Sequence, residues 1–507
     1  VDRTLELIGD KNLDIDNIEL NDEKTYNLFS EGKMTGVFQL ESRVAQSVSR
    51  SLNPKRFEDI VALVALIRPG PLGAGMHNEF TDRANSRKDI EYLHPDLETI
   101  LNETYGVILY QEQVMQIAEK IAGFDLQEAD NLRVAMGKKI PQVMEEQRKK
   151  FTEGAVKNGY SEQFAIEIFD QIAYFAGYGF NKSHSVPYAL LAYQTAYLKA
   201  NYPAEYIAAS LTAVKRDKDR TAIFLSEARE MGVKVSTPDI NKSESDFTVN
   251  KDEILFGLSA VRNVGDITSD KIVLERDTNG KFETIEDFLS RIDSRSLNKR
   301  GIEALAQGGG FDYFGYPRKG VFNAIPDLID DAKSLKTQKA NNQTSLFDLD
   351  AQSNNLTTIK DTEWSKKEKL EREREMLGFF VSEDPLEGYG EVLKSESTHS
   401  IIELQSIDDE EELNVVIAGL ISNVQKRVSR RGNPWIQFDL QDTTGSLGVL
   451  LFNKLVEKYN TNIDGEIYLK VSGTYVGGSE NTIRARDLEV IEPVSYTHLT
   501  LPTISCV

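Results

Sequence analysis

At 507 residues, with 40% hydrophobic and 28% charged side chains, the chain is too long for one ordinary core and too apolar for disorder, so several globular domains are expected. Its single cysteine, Cys506, excludes a disulfide framework and a cysteine-based zinc site, and a cytoplasmic compartment is expected. A net charge of −22 argues against nucleic acid, but the basic residues are clustered, at Arg133, Lys138 and Lys139, at Arg148, Lys149 and Lys150, and at Arg427, Arg430 and Arg431.

No apolar run reaches the length that crosses a bilayer, and no basic-then-apolar signal opens the chain, so no membrane partner is expected. Val1 in place of an initiator methionine reads as an internal start. Residues 1–240 read as mostly helical. Asp14 and Asp16 have the Asp-x-Asp spacing of a metal-binding pair, but they lie in a polar stretch with no strand pattern and read as a decoy. The helical spacing of Val114, Ile117, Ala118 and Ile121 predicts a buried stripe over Val107–Ala122; Tyr188–Tyr202 repeats the pattern up to Pro203.

Leu132-Arg133-Val-Ala-Met-Gly-Lys138-Lys139 places two lysines beyond a glycine and an arginine about one turn earlier. Such a set can cradle a triphosphate; a solvated basic helix end is the plainer alternative. Gly177-Tyr178-Gly-Phe180-Asn181-Lys182-Ser183-His184-Ser185 reads as a loop before a helix with Pro187 in its first turn. Orphan N–H groups and the positive dipole end make such a junction an anion site, to which Lys182 and His184 add charge or hydrogen bonds. Tyr178 and Phe180 can lie against a base or sugar. A well-capped joint between two helices stands beside this reading with equal weight.

From about residue 250 short, loop-broken helices are expected, ending near Gly308-Gly309-Gly310. Residues 333–372, rich in Lys, Gln, Asn, Ser and Thr, read as a polar tether. Within it, Gln343-Thr-Ser-Leu346-Phe347 carries two large apolar side chains that dock on a partner or on the chain's own surface. A connecting segment comes next, at 373–412. Residues 413–493 then alternate apolar and polar side chains, as in Val415–Leu420, Trp435–Leu440 and Glu466–Val471. With breaks at Gly432, Gly445, Gly465 and Gly477, they predict a small OB-like barrel. There Arg427, Arg430, Arg431, Trp435 and Phe438 suit single-stranded DNA, with core packing as the alternative for the two rings. Residues 494–507 fit none of this and read as a non-native tail similar to translated adapter sequence.

Four segments, Gly36-Val-Phe38-Gln-Leu-Glu-Ser42, Ala65-Leu-Ile-Arg68-Pro-Gly-Pro71, Tyr105-Gly-Val-Ile-Leu-Tyr-Gln111-Glu-Gln-Val-Met and Ala176-Gly-Tyr-Gly-Phe-Asn-Lys-Ser-His184, resemble, in order, signatures of the bacterial C-family replicative DNA polymerases, the DNA polymerase III alpha subunits. The resemblance runs from about residue 1 to 493. It implies a multidomain α+β chain: mostly α-helical fingers (1–240, adjoining a palm), a helix-hairpin-helix region (241–332), the tether with a clamp-binding peptide (333–372), the connecting segment and an all-β OB domain (413–493).

By the same resemblance, Arg68, Arg133, Lys138, Lys139, Tyr178, Asn181, Lys182, Ser183 and His184 are implied to bind the incoming nucleotide. Val134 stands where the family often has a second arginine. Residues 255–276 resemble a helix-hairpin-helix, with a hairpin at Val261–Gly265 and a helix through Asp270 and Lys271. Such hairpins present backbone N–H groups to a phosphate. Arg262, Asn263, Gly265 and Lys271 are thus implied DNA contacts, with Arg427, Arg430, Arg431 and Trp435. Gln343, Leu346 and Phe347 are the implied clamp contacts.

The activity implied is DNA-directed DNA polymerisation, with Mg²⁺ held by palm aspartates outside this chain and no catalytic residue within it. The implied partners are primer–template DNA, deoxynucleoside triphosphates, the sliding clamp and other replisome subunits such as the clamp loader. A non-catalytic DNA- and clamp-binding paralogue or scaffold is the alternative. A DNA ligase, which also joins these modules, is disfavoured because no cysteine zinc site or adenylation-lysine motif is present.

Overall fold

Helices dominate the chain as far as Leu377, and strands dominate the remainder. The computed structural model describes residues 1–138, 141–176, 179–293, 297–340, 357–382, 386, 389–405, 412–428, 434–442, 444–452, 454–459, 467–477 and 482–491. It divides into two units, residues 1–382 and 383–507.

The first unit is organised around the 20-residue helix Lys182–Asn201. Its buried face, including Ala189, Ala192, Tyr193 and Ala196, packs against Phe57–Leu66, a helix buried from Asp59 to Leu66. Polar groups at this contact are satisfied: the Ser185 hydroxyl donates to the Val61 carbonyl at 2.6 Å, and the Tyr193 hydroxyl accepts from the Asp22 amide and donates to the Glu19 carbonyl. The helix ends at Asn201 because Pro203 opens the next one, Pro203–Val214, in its first turn.

Lys199, only 1% exposed in its side chain, lies near that end. Its ammonium donates to the Lys33 and Thr35 carbonyls at 2.8 and 2.9 Å and meets the Glu227 carboxylate at 2.5 Å. Burial pushes it below the usual lysine range, opposed by Glu227.

Two expectations about helix starts need correction. The Lys182–Asn201 helix begins five residues before Pro187, so Lys182, Ser183 and His184 form its first turn and not a loop. The Asn181 side chain caps it by accepting from the His184 amide. The Val107–Ala122 stretch becomes helical only at Gln111, where the Gln113 side chain accepts from the Leu109 and Tyr110 amides. Its predicted stripe of Val114, Ile117, Ala118 and Ile121 is buried.

Two features are absent from the helical reading. One is a small sheet of β1 (Lys234–Ser236), β2 (Thr248–Asn250) and β3 (Glu253–Leu255) in the order β1-β3-β2. The other is the helix Arg318–Ala340, which carries the backbone well into the stretch read as a tether. The far end of that stretch is also structured: Trp364 is buried and Lys366–Leu377 is helical. Glu373, fully buried there, pairs with Arg318 at 2.7 Å and accepts the Val381 and Ser382 amides. A charge so buried persists because every partner is supplied.

In the second unit, β4 (Glu412–Val428), β5 (Pro434–Gln441), β6 (Ser446–Phe452), β7 (Tyr468–Val476) and β8 (Thr482–Val490) close into a barrel in the order β4-β5-β6-β8-β7. The 17-residue β4 pairs with both β5 and β7, helped by an irregularity between Ser422 and Gln425; β6 and β8 close the ring in parallel. This order, with the helix Lys454–Tyr459 between β6 and β7, is that of an OB fold. Phe438 belongs to the core with Ile436, Leu440, Val449 and Leu451, which decides between its two readings.

Glu227→Ala strands the Lys199 ammonium in the interior and should lower the stability of the first unit by about 3–5 kcal/mol. The double variant Lys199→Met/Glu227→Leu should recover a good part of that loss. Urea unfolding monitored by circular dichroism checks both, and a Glu227→Ala loss below about 1 kcal/mol would mean that the charge is relieved in another way.

Candidate nucleic-acid interface

Four segments far apart in sequence meet at the start of the Lys182–Asn201 helix. The Phe180 amide donates to the Leu109 carbonyl at 3.0 Å and the Gln111 amide to the Phe180 carbonyl at 2.9 Å, a short parallel bridge. The Gln111 side chain donates to the Gly179 carbonyl at 3.1 Å and accepts from the Arg133 guanidinium at 3.3 Å. Arg68, ahead of the short Pro69–Gly73 helix, sets its guanidinium 5.1 Å from the centre of the Phe180 ring. Arg68, Arg133, Lys182 and His184 are thus gathered around one joint.

Carboxylates already engage its donors. Glu112 accepts from the Lys182 amide at 3.0 Å and the Ser183 amide at 3.3 Å, and with Asn181 on the His184 amide the first turn is satisfied. Lys182 pairs with Glu103 at 2.6 Å and Arg133 with Asp130 at 2.8 Å. The joint is therefore well capped, and its remaining capacity for anions lies in the side chains of Lys182 and Arg133. Both pairs are partly exposed, where salt and competing anions weaken them. The exposed His184 ring lies 4.4 Å from Tyr188 and 5.7 Å from Phe180, and Tyr188 lies 5.7 Å from Phe38.

Asn181 and Ser183 are exposed here. Lys138 ends the helix Leu126–Lys138, while Lys139 and Tyr178 lie outside the described residues. Asp14 caps a local turn, accepting from the Asp16 amide at 3.1 Å and the Asn17 side chain at 2.7 Å.

The predicted hairpin is built as expected in kind. After the turn Leu258–Ala260 the chain reverses through Asn263 and Gly265, at φ 65° and 71°, both in the left-handed region. The helix Asp266–Asn279 then begins without a side-chain cap. Gly301 of a neighbouring helix lets the hairpin approach, since a Cβ there would stand 3.1 Å from the Asn263 carbonyl oxygen. Arg262 is exposed and 3.4 Å from Glu375; Lys271 lies on the outer side of the helix. Asp266 receives Lys215 at 2.5 Å and Arg216 at 2.8 Å.

In the barrel, Arg427 is exposed and lies over the Trp435 ring, 5.4 Å from its centre. Trp435 in turn stacks on Phe452. Arg430 and Arg431 lie outside the described residues, as do Gln343, Leu346 and Phe347. Sequence reasoning missed Glu103, Glu112 and Phe452. Glu103 gave no signal and Glu112 lay inside the quoted segment 105–115 without a role of its own, whereas Phe452 stands at the end of an alternating apolar run, where a strand leaves its core.

A family model described as the bacterial DNA polymerase III alpha subunit finger domain matches residues 1–159. A helix-hairpin-helix motif matches residues 232–321, and an OB-fold nucleic acid binding domain matches residues 415–491. Among curated proteins, the DNA polymerase III subunit alpha of Mycobacterium tuberculosis H37Rv is 39% identical over 533 residues, covering 99% of this chain and 45% of the relative. The subunit of the same name from Saccharopolyspora erythraea is 41% identical over 487 residues (94% and 41%), and that of Escherichia coli K12 is 38% identical over 491 residues (94% and 42%). The chain spans about half the length of the curated relatives it matches.

The hydrogen bonds from Lys215 and then Arg216 hold the Asp266 carboxyl at about 2, below its ordinary 3.8. Its contribution to stability is therefore complete above about pH 4 and is lost as pH falls through about 2. A carbon-detected NMR titration should find the Asp266 midpoint near 2 and should find it shifted towards 3.8 in Lys215→Ala. A midpoint of 3.8 in the unaltered chain would dissolve the cluster.

Proposed function

The chain belongs to the family of bacterial DNA polymerase III alpha subunits, and on that premise we propose that it is the nucleotide- and DNA-holding part of a DNA-directed DNA polymerase of chromosome replication. The observation that carries the proposal is the joint at Gln111, whose side chain ties the Arg133 guanidinium to the segment leading into Lys182 and His184. Cations from separate parts of the sequence are brought to one place beside exposed rings, as a triphosphate joined to a base requires.

In this reading Lys182 and Arg133 take phosphate oxygens by exchanging Glu103 and Asp130 for the ligand, with Arg68, Lys138 and Lys139 adding to the field. His184, Asn181, Ser183 and Tyr178 border the sugar and base. The backbone at Asn263 and Gly265, flanked by Arg262 and Lys271, meets duplex phosphates without reading sequence. Arg427, Arg430, Arg431 and Trp435 serve the OB domain. Gln343, Leu346 and Phe347 form the peptide that enters the sliding clamp, and further replisome subunits such as the clamp loader join through the assembled enzyme in the cytoplasm.

Divalent-ion chemistry is assigned to aspartates elsewhere in the whole polymerase. Asp14 is spent on capping a turn. When bound, Mg²⁺ would activate the primer hydroxyl and stabilise the leaving pyrophosphate.

In a full-length polymerase carrying this region, Lys182→Ala should raise the KM for nucleotide about tenfold or more, the worth of a hydrogen bond to a charged group. Primer–template affinity, spread over many phosphate contacts, should change by less than about twofold. Steady-state kinetics beside a DNA-binding isotherm measures both, and unchanged nucleotide kinetics would return the joint to a purely structural role. Leu346→Ala with Phe347→Ala should weaken clamp binding by about tenfold or more, as the loss of buried apolar anchors does. Calorimetry with the purified ring reads this directly, and equal affinity would remove the peptide assignment.

A further inference from the structure

Within the first unit, segments distant in sequence enclose a cavity of about 450 Å³. One wall is the end of the helix Lys218–Glu230 and the chain that runs from it into β1, with Leu225, Arg229, Val233 and Lys234. A second is the Phe380–Ser382 segment, which follows the helix Lys366–Leu377; Lys369 of that helix also reaches the cavity. Asp312 and Arg318 complete it. The joint at Lys182 and the hairpin at Asn263 contribute no residue to its lining.

The charge of this lining is the reverse of the chain's. Arg229, Lys234, Arg318 and Lys369 stand against one carboxylate, Asp312, in a protein with 59 basic and 81 acidic residues. Lys234 meets Glu253 at 2.7 Å, Lys369 meets Glu363 at 3.5 Å, and Arg318 meets Asp312 and Glu373, each at 2.7 Å. Glu253, Glu363 and Glu373 are not in the lining themselves. Arg229 differs. Its guanidinium donates to the Phe380 carbonyl and, among the described residues, pairs with no carboxylate. A planar cation with five N–H donors and one carbonyl partner keeps donors in reserve. The hydroxyls of Thr237 and Ser382 add to them, while that of Ser236 is held by Glu253. Such a wall suits an anion with several acceptor oxygens. The remaining lining is apolar, with Val235, Phe380 and Val381 beside Leu225 and Val233. An inorganic anion would leave those side chains facing water, whereas a cavity of this size holds a whole small molecule.

We propose that this cavity binds a small phosphate monoester with an apolar or aromatic body, of about mononucleotide size, and that Arg229 is its principal anion contact. The phosphate takes the N–H groups that the Phe380 carbonyl leaves open, with Lys234 and Lys369 adding charge. The body lies against Val235 and Phe380. The site stands apart from the polymerase reading, since none of its residues belongs to the nucleotide, DNA or clamp contacts named above.

Isothermal titration calorimetry of the full chain with AMP, adenosine and inorganic phosphate tests this. AMP should bind, and adenosine and phosphate should each bind about tenfold more weakly or worse, because each lacks one set of contacts. Arg229→Gln, which can still donate to the Phe380 carbonyl, should weaken AMP about tenfold or more. Lys234→Gln, at an exposed side chain, should weaken it about threefold. Thermal melting reports whether each variant is folded, and Lys234→Gln decides if Arg229→Gln is not. Absence of AMP binding would overturn the site. Unchanged AMP affinity in both folded variants would overturn it too, wherever else on the chain AMP binds. Phosphate binding as tightly as AMP would overturn the role of the apolar wall and with it the class of ligand.

Discussion

A lysine stripped of water must find acceptors, and much of the first unit is arranged around how Lys199 finds them. Two are carbonyls of the turn at Lys33 and Thr35, and the third is Glu227 on the helix Lys218–Glu230. The end of the central helix is thereby tied to the turn that leads into Gly36-Val-Phe38. The same strut receives Phe38, whose amide donates to the Thr195 hydroxyl, and a tyrosine of the next helix, Tyr206, donates to the Gly36 carbonyl. Gly36 itself, at φ 78°, lies where a Cβ would press on the Phe224 ring. At the other end, about 30 Å away for 20 residues of helix, Glu112 and Asn181 cap the first turn at the joint with Lys182 and His184. One helix thus carries the buried lysine at one end and the capped first turn at the other.

The acidic total and the clustered bases are two aspects of one arrangement. Lys182 has Glu103, Arg133 has Asp130, Arg262 has Glu375, and Lys215 shares Asp246 and Asp266. Partly exposed pairs of this kind contribute little to stability. Their effect is on placement: each cation is held beside a particular carboxylate. A net charge computed for the whole chain says nothing about such local order, which is why −22 was a poor guide to whether anions are met at particular places.

Much of the architecture was legible because apolar periodicity is a property of the sequence itself. The stripe of Val114, Ile117 and Ile121 and the alternation through Trp435–Leu440 both report which face is buried, and both faces are. Boundaries were less legible because they depend on side chains far away or on the far side of a turn. The central helix begins at Lys182 because Asn181 caps it and Glu112, seventy residues earlier in the chain, receives its first amides. The composition of residues 333–372 suggested a tether, yet a single buried arginine, Arg318, with Glu373 as its partner, keeps the far end of that stretch packed. At the candidate site, segments quoted from separate parts of the sequence do meet at one joint. That Lys182 and Arg133 carry their own counter-charges was not legible, since Glu103 and Asp130 belong to no motif.

The order β4-β5-β6-β8-β7 has a further consequence, for behaviour in concentrated solution. A closed ring of strands leaves only short stretches paired on one side, here Gln425–Val428 of β4, which pairs with β5 alone, and the ends of β6 beyond its three-residue contact with β8. The sheet β1-β3-β2 does have two edges, but each is three residues long, too short to template a stable pairing. What unpaired backbone the barrel has is therefore confined to short segments, and the one beside Arg427 carries charged side chains at Lys426 and Arg427, which discourage edge-to-edge pairing.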